Sequence, residues 1–472
     1  MLFNSLQFAL FFPITYFFYL ISNHKWQNRF LLIASYIFYS AWDWRFLSLI
    51  IISTVIDYFC GLKIAQADDK RKKRKFLLLS LITNLSLLGF FKYFGFFADS
   101  LLNLLHSIGI DTPLYSLKII LPVGISFYTF QTLSYSIDIY RKEIKPTKNF
   151  LDFALFVSFF PQLVAGPIER AKNLLPQILS PRKITLDSFY QGIYLILWGL
   201  FQKVFVADNL AKIVNDIFAF PQNHSGGGIL IALYAFSLQI FCDFCGYSNI
   251  ARGIGKCLGF EIMVNFNCPY FSQSPQEFWK RWHISLSSWF KDYLYIPLGG
   301  NRKGKAKTYR NLILTMGLAG LWHGASWNFI FWGLYQAALL IIYKIVTPLN
   351  FKIDFLQNRP AKKIAAFING LIFFHLTCLG WLLFRCESLT QIVIMSKKLF
   401  GDFSFSSGIS IIPLVFFSWF LILIEIFQYK KNDLLFVLKL PVFLRTLIYI
   451  VIFYSIILYG SETAEKFIYF QF

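Results

Sequence analysis

Lys70-Arg-Lys-Lys-Arg-Lys75 runs directly into Phe76-Leu-Leu-Leu-Ser-Leu-Ile-Thr-Asn-Leu-Ser-Leu-Leu-Gly-Phe90, six cations followed by fifteen residues without a charge. A basic block abutting an uncharged apolar run marks a helix that enters a bilayer from its cytoplasmic face, where lysine and arginine are retained. The same grammar repeats along the chain. Phe8–Ser22, Phe30–Ala41, Phe46–Ala65, Pro122–Tyr140, Gln191–Ile213, Ile229–Tyr247, Ile364–Phe384, Ile409–Phe427 and Phe443–Tyr459 are further apolar segments. Windows near 20 residues with almost no charge predict about eleven to thirteen membrane segments. The fold class expected is an all-α integral membrane protein, a polytopic helical bundle with re-entrant or interfacial elements.

Composition agrees. Only 15% of the 472 residues are charged and 57% are hydrophobic, against about 25% charged in a soluble domain. No soluble block separates the apolar spans, so a single membrane domain over 1–472 is expected, with its working core over about 120–345. The net charge of +21 does not indicate nucleic-acid binding. Its bases fall in short clusters between spans (Lys70–Lys75, Arg141–Lys148, Arg302–Arg310, Arg359–Lys363) rather than over one folded face. Followed through the spans, this charge pattern places both termini outside the cytoplasm, and Phe8–Ser22 reads as a retained first span.

Several elements depart from simple spans. Phe150–Gly166 is broken by Pro161 and Gly166-Pro167, which predicts a re-entrant or tilted element, tolerated only if protein or water covers its backbone. Ser274-Pro275-Gln276-Glu277 predicts a helix start, and Glu277 stands four residues before Arg281, as an ion pair requires. One helix continuing through Ser274–Pro297 would put Phe278, Trp282, Ser285 and Trp289 on one face, with Trp279, His283, Leu286 and Phe290 beside it. Its mixture of tryptophan and charge suits a helix that lies at the membrane interface or dips into the membrane rather than spanning it. Asn311–Trp322 and Trp327–Ile345 then read as a hairpin with basic ends, His323 near its apex and well inside the bilayer or near its outer half.

Seven cysteines, an odd number, make no disulfide framework, and Cys242-Asp-Phe-Cys245 reads as two small buried apolar residues rather than a redox pair. No metal-ligand spacing is present, so no metal is expected. Of six histidines, His24, His106 and His224 fall in loops or near span ends, and His375 in mid-span suits a helix–helix hydrogen bond. His283 and His323 differ, each standing beside tryptophan. His323 has small and polar neighbours, Gly320, Gly324, Ala325, Ser326 and Asn328, that allow close approach of backbone or substrate. A neutral imidazole in an apolar pocket can serve as a general base. Such a base suits acyl transfer from a thioester, whose carbonyl is already activated. The basic Arg302–Arg310 loop could meet the phosphates of coenzyme A or an acidic carrier protein. The alternative is a transporter or channel using His323 as a relay, with Asp243 the main in-span carboxylate. No repeat symmetry supports it.

Arg281-Trp-His-Ile-Ser-Leu-Ser287 with Trp322-His-Gly324 resembles the signature of the membrane-bound O-acyltransferase superfamily. Supporting blocks are Ser35-Tyr-Ile-Phe-Tyr39, Gly166-Pro-Ile-Glu-Arg170, Phe244-Cys-Gly-Tyr-Ser248 and Asn265-Phe-Asn-Cys-Pro-Tyr270. The resemblance covers most of the chain and points to the branch that O-acetylates alginate or peptidoglycan; sister proteins move D-alanine to teichoic acids. It implies a funnel or tunnel with His323 as the principal catalytic histidine and His283 as the second. It further implies a cytoplasmic thioester donor such as acetyl-coenzyme A as substrate, with no bound cofactor. An extracytoplasmic SGNH-type partner would carry the acetyl group to the polysaccharide. A place in the bacterial inner membrane follows. Arg281, Trp282, Trp322, Asn328 and Asp243 become candidates for the donor route. Asn249 stands where close relatives often carry an acid, and an amide there is expected to preserve the hydrogen bonding.

Overall fold

The computed structural model describes residues 1–111, 117, 119–163, 166–347, 359–405, 410–461 and 467–468. Among them the regular elements are all helical. Eight helical runs are long and apolar enough to cross a membrane: His24–Gln66, Lys70–Ser107, Leu186–Ala219, Gly226–Cys257, Trp327–Val346, Lys362–Arg385, Ile412–Lys431 and Val442–Tyr459. Leu6–Ile21 and Phe150–Leu163 are shorter apolar helices. Apolar side chains stay exposed at helical spacing, as in Leu444, Leu447, Ile450, Phe453 and Ile457. In water such stripes would be costly; in a bilayer they are the surface that lipid wets. The protein is a multi-pass membrane protein.

The chain forms two compact units, Met1–Tyr194 with Ile250–Met263, and Leu195–Asn249 with Val264–Phe472. In the first, the helices Leu47–Gln66, Lys70–Leu88 and Ile125–Tyr140 pack round a buried carboxylate, Asp57. Asn84 Nδ2 donates to it at 2.8 Å, Ser136 Oγ at 3.4 Å and Ser53 Oγ at 3.5 Å, and Ser80 Oγ also bonds it. Hydrogen bonds of this kind join apolar helices where no hydrophobic drive exists between them. The broken segment has the covering that it requires. Helices Phe150–Ser158 and Phe160–Leu163 part at Phe159. The Phe156 carbonyl, left without a helical partner by the break, accepts from Gln131 Nε2 at 2.5 Å and Gln162 Nε2 at 3.0 Å, while Ser35 Oγ takes the amide of Phe160 at 3.1 Å.

In the second unit, the predicted hairpin is formed by Lys305–His323 and Trp327–Val346. The first helix begins about two turns earlier than its apolar run, in the basic segment. Glycines set the approach: a Cβ on Gly320 would lie 2.1 Å from the Phe329 carbonyl oxygen, and one on Gly333 2.2 Å from that of Met316. These backbones touch as small residues allow in membrane helix pairs. Elsewhere, the Leu186–Leu200 helix continues through a π-helical turn, Phe201–Ala207, into Asp208–Ala219. The wide turn carries the buried Lys203, whose Nζ lies 2.8 Å from both Asp208 and Asp243.

Candidate active site

The two histidines owe their positions to different devices. The continuous helix expected over Ser274–Pro297 is not formed. Pro275–Arg281 ends at Trp282, His283 takes a left-handed backbone (φ 43°, ψ 54°), and a second helix runs from Ile284 to Phe290. Neither glycine nor proline marks this break. It is held instead by Asn265-Phe-Asn267. The Asn267 amide donates to the Arg281 carbonyl and the Ile284 amide to the Asn265 carbonyl, both at 2.9 Å. Asn265 Oδ1 accepts from the Ser285 amide at 3.2 Å and from Ser285 Oγ at 2.9 Å, while its Nδ2 donates to Ser248 Oγ at 3.3 Å. Ser287 Oγ caps the Trp282 carbonyl at 3.0 Å. The left-handed residue costs about 1–2 kcal/mol, which this set of bonds can offset. The break also turns Trp282 and Trp289 into the protein, where both are buried, so the stripes drawn for an interfacial helix do not exist.

His323 ends its helix, and Gly324 leaves in an extended conformation. The space beside Gly324 is filled: a Cβ there would meet the Phe329 ring at 2.1 Å. Small residues at the apex therefore admit a neighbouring ring, where the sequence suggested room for substrate.

The break and the hairpin bring the two imidazoles together, ring centroids 6.3 Å apart. Trp322 is adjacent to both, 5.6 Å from His283 and 5.1 Å from His323. Phe244 meets His283 edge-on at 4.6 Å, and Phe266 lies nearly parallel to it at 6.4 Å. Trp332 and Phe384 meet His323 at 5.0 and 5.5 Å. His283 is 0% exposed and His323 3%. Burial, with His323 adding to it, pushes the His283 imidazole well below the usual histidine range, so it stays neutral and keeps a lone pair. The two imidazoles are thus enclosed by aromatic rings and almost wholly buried, a setting in which a neutral imidazole can move a proton.

The other candidates separate. Trp322 is part of this aromatic enclosure. Trp282 points into an aromatic cluster, stacked on Phe278 and 4.9 Å from Trp381. Arg281 forms the expected pair with Glu277 at 3.0 Å, donates to the Asn267 carbonyl at 3.1 Å and lies over Tyr429. Asn328 Nδ2 bonds the Cys386 carbonyl. Asp243 is engaged by Lys203 and by the Ile468 amide at 2.7 Å. Asn249 Nδ2 donates to Gln202 Oε1 at 2.8 Å. His375 makes the predicted helix–helix bond: its Nδ1 donates to the Leu371 carbonyl and its Nε2 accepts from Tyr234. Asn265, Phe244 and Phe384 escaped the residue-by-residue reading. Phe244 and Asn265 nonetheless open two of the blocks that carry the family resemblance, which was the signal available for them.

Among the described residues no three side chains of histidine, cysteine, aspartate or glutamate gather as metal ligands. A cavity of about 510 Å³ is lined by Lys291, Tyr295, Asn301, Arg302 and Lys303 with the glycine turn Gly299-Gly300.

The sequence model of the membrane-bound O-acyltransferase family matches residues 36–385. The chain belongs to that family. It is 43% identical over 412 residues to a probable alginate O-acetylase of Azotobacter vinelandii, covering 86% of this chain and 80% of that one. To a peptidoglycan O-acetyltransferase of Helicobacter pylori it is 37% identical, over 85% and 80% of the two chains. A teichoic acid D-alanyltransferase of Bacillus subtilis is 32% identical over 56% of this chain and 68% of its own. The protein is an acyltransferase, and the transporter alternative falls away.

Proposed function

We propose that this protein is an O-acetyltransferase of the bacterial inner membrane, which takes an acetyl group from a cytoplasmic thioester and passes it across the bilayer toward an exported polysaccharide. The buried histidine pair carries the reading. Two imidazoles in a dry chamber can handle one proton without a competing water, and hydrolysis would waste the thioester. In the reaction, an acceptor hydroxyl oxygen attacks the thioester carbonyl carbon while His323 takes the hydroxyl proton. The carbon–oxygen bond forms, the carbon–sulfur bond breaks, and the departing thiolate receives the proton from the imidazolium. His283 holds the reacting group by hydrogen bond. If the imidazole of His323 is itself the first acceptor, the same atoms balance over two transfers.

The acetylases among the relatives support alginate-like polymer or peptidoglycan as the final acceptor, ahead of D-alanine transfer, because they align over far more of the chain. An extracytoplasmic partner of the SGNH type would complete delivery, and both termini would lie on its side of the membrane. For the donor, the cavity by Lys291, Arg302 and Lys303 offers cationic side chains to a phosphate-bearing group such as the nucleotide of acetyl-coenzyme A or a phosphopantetheine carrier.

The test is His323→Ala in membranes containing normally folded protein. A loss of about 10²–10⁴-fold in acetyl transfer is expected for removal of a general base; undiminished polymer acetylation ends the assignment. Arg302→Ala with Lys303→Ala is expected to raise the KM for the donor and leave kcat near normal. An unchanged KM removes the cavity from the donor site.

A further inference from the structure

Lys70–Lys75 is the largest block of like charge in the chain, and it takes no part in the reaction proposed above. Its six cations occupy almost the first two turns of the helix Lys70–Leu88, which Asp69 caps by accepting from the Arg71 amide at 3.1 Å. Five of them are exposed and Lys73 is half-buried. Among the described residues none of the six makes an ion pair. Asp68 and Asp69 are the acids beside them in sequence, which leaves a surplus of four positive charges. Arg71 stands four residues before Lys75 and three before Arg74, and like charges at those spacings repel on a helix.

The face on which the cations stand decides what can answer this charge. The exposed apolar stripe of the same helix is Leu78, Leu79, Ile82 and Leu85. At about 100° per residue, Arg71 and Lys75 lie within about 20° of Ile82, at the centre of that stripe. Lys72 and Arg74 flank it, each about 80° to one side, and Lys73 lies about opposite. The side opposite is the buried one, with Ser80, Asn84 and Leu88. Lys75 stands one turn before Leu78 and Leu79, and Arg71 about 6 Å farther along the axis. One face therefore carries an apolar surface and then a cluster of cations, in the order in which a phospholipid presents its tails and its phosphate.

We propose that Arg71, Lys72, Arg74 and Lys75 form a binding site for acidic phospholipid. The acyl chains lie along Leu78, Leu79, Ile82 and Leu85, and the cations hold the phosphate. Arginine meets the phosphate oxygens with its fork of N–H donors, and lysine adds a point charge. A head group between Arg71 and Lys75 replaces their repulsion with attraction to both. A zwitterionic lipid brings the same phosphate with its own cation attached, so it binds more weakly. Nothing in this site depends on acyl transfer, so it stands or falls separately from that reaction.

The test uses full-length protein in a neutral detergent and phosphatidylglycerol carrying a diazirine in one acyl chain. Crosslinking to the segment 76–89 is quantified by peptide mass spectrometry as the lipid is titrated. A cation at an acidic lipid surface is worth about fivefold in binding. Lys75→Gln is therefore expected to raise the half-saturating concentration about fivefold, and Arg71→Gln with Arg74→Gln and Lys75→Gln about 100-fold. Lys73→Gln removes the same charge from the opposite face and should leave it nearly unchanged. Glutamine is a good helix former, and a melting curve checks each variant; where the triple variant melts early, the Lys75→Gln and Lys73→Gln pair decides. Unlabelled phosphatidylglycerol should displace the probe at a lower concentration than phosphatidylcholine does. Equal displacement by the two lipids overturns the proposal, as does an equal effect of Lys73→Gln and Lys75→Gln, which would reduce the site to diffuse charge. Displacement by glycerol phosphate as efficient as by phosphatidylglycerol also overturns it, since a soluble anion would then suffice.

Discussion

Replacing Asn265 by alanine tests whether the break at Trp282–His283 is built to position the imidazole. The variant removes the Oδ1 acceptor of the Ser285 amide and hydroxyl and the Nδ2 donor to Ser248. Asn265, Ser285 and Ser248 are all buried, so water does not replace what is lost. A buried amide without an acceptor costs about 1–3 kcal/mol, and the remaining bonds add on the order of 1 kcal/mol, so a destabilisation of about 2–4 kcal/mol is expected. The backbone bonds at Asn265 and Asn267 remain, and the fold survives. The left-handed residue at 283, however, loses part of what offsets its strain. A turn of one helical residue swings a side chain by about 100°, and a displacement near 1 Å at a reacting centre costs about 10²-fold in rate. Acyl transfer per folded molecule is therefore expected to fall about 100-fold in Asn265→Ala. It should fall much less in Asn265→Asp, which keeps the acceptors for Ser285. The assay is transfer in membranes, normalised to the monodisperse fraction by fluorescence-detected gel filtration. A variant that melts earlier but turns over at the full rate per folded molecule would refute the argument: the clamp would then serve stability alone.

Two further perturbations address the frame. Gly320→Ala places a carbon 2.1 Å from the Phe329 carbonyl oxygen, about 1 Å inside contact distance; the hairpin must part, at about 1–3 kcal/mol, and a lowered thermal midpoint with reduced transfer is expected. Unchanged melting would mean that the two helices do not pack backbone to backbone. Glu169 lies outside the spans, and burial raises its carboxyl from 4.5 to about 7, opposed by the Met263 amide that bonds it at 2.6 Å. The folded protein thus keeps the proton over a pH range in which the unfolded chain has released it. Stability should fall as pH rises from about 4.5 to about 7, by on the order of 3 kcal/mol in all, and Glu169→Gln should remove that slope from a series of melting curves. A slope persisting in the variant would assign the effect to another group.

What could be read from the residues was what local rules govern. Charge placement and apolar length gave the membrane class. The Ser274 cap, the Glu277–Arg281 pair, the hairpin around His323 and the helix–helix hydrogen bond of His375 follow from spacing and helix chemistry. Two features were not readable, for one reason: distant residues supply what local propensity lacks. The helix break at His283 carries no breaker, because Asn265–Asn267 satisfies its backbone from well upstream. The π-helical turn at Phe201–Ala207 carries Lys203 between Asp208 and Asp243, a partnership invisible until the helices are in place. Asp243 stood out as the main in-span carboxylate, since an unpaired acid in a span is costly; its lysine partner is not adjacent in sequence.

The left-handed backbone at His283 also bears on any attempt to engineer this enzyme. Glycine or asparagine would occupy that conformation with less strain. On the role proposed above for His283, this is a position at which selection for robustness and selection for turnover pull in opposite directions. A library screened only for heat resistance would tend to discard the histidine. Stabilising such a protein without disabling it means fixing this residue in advance and searching elsewhere, in the lipid-facing helices and the loops.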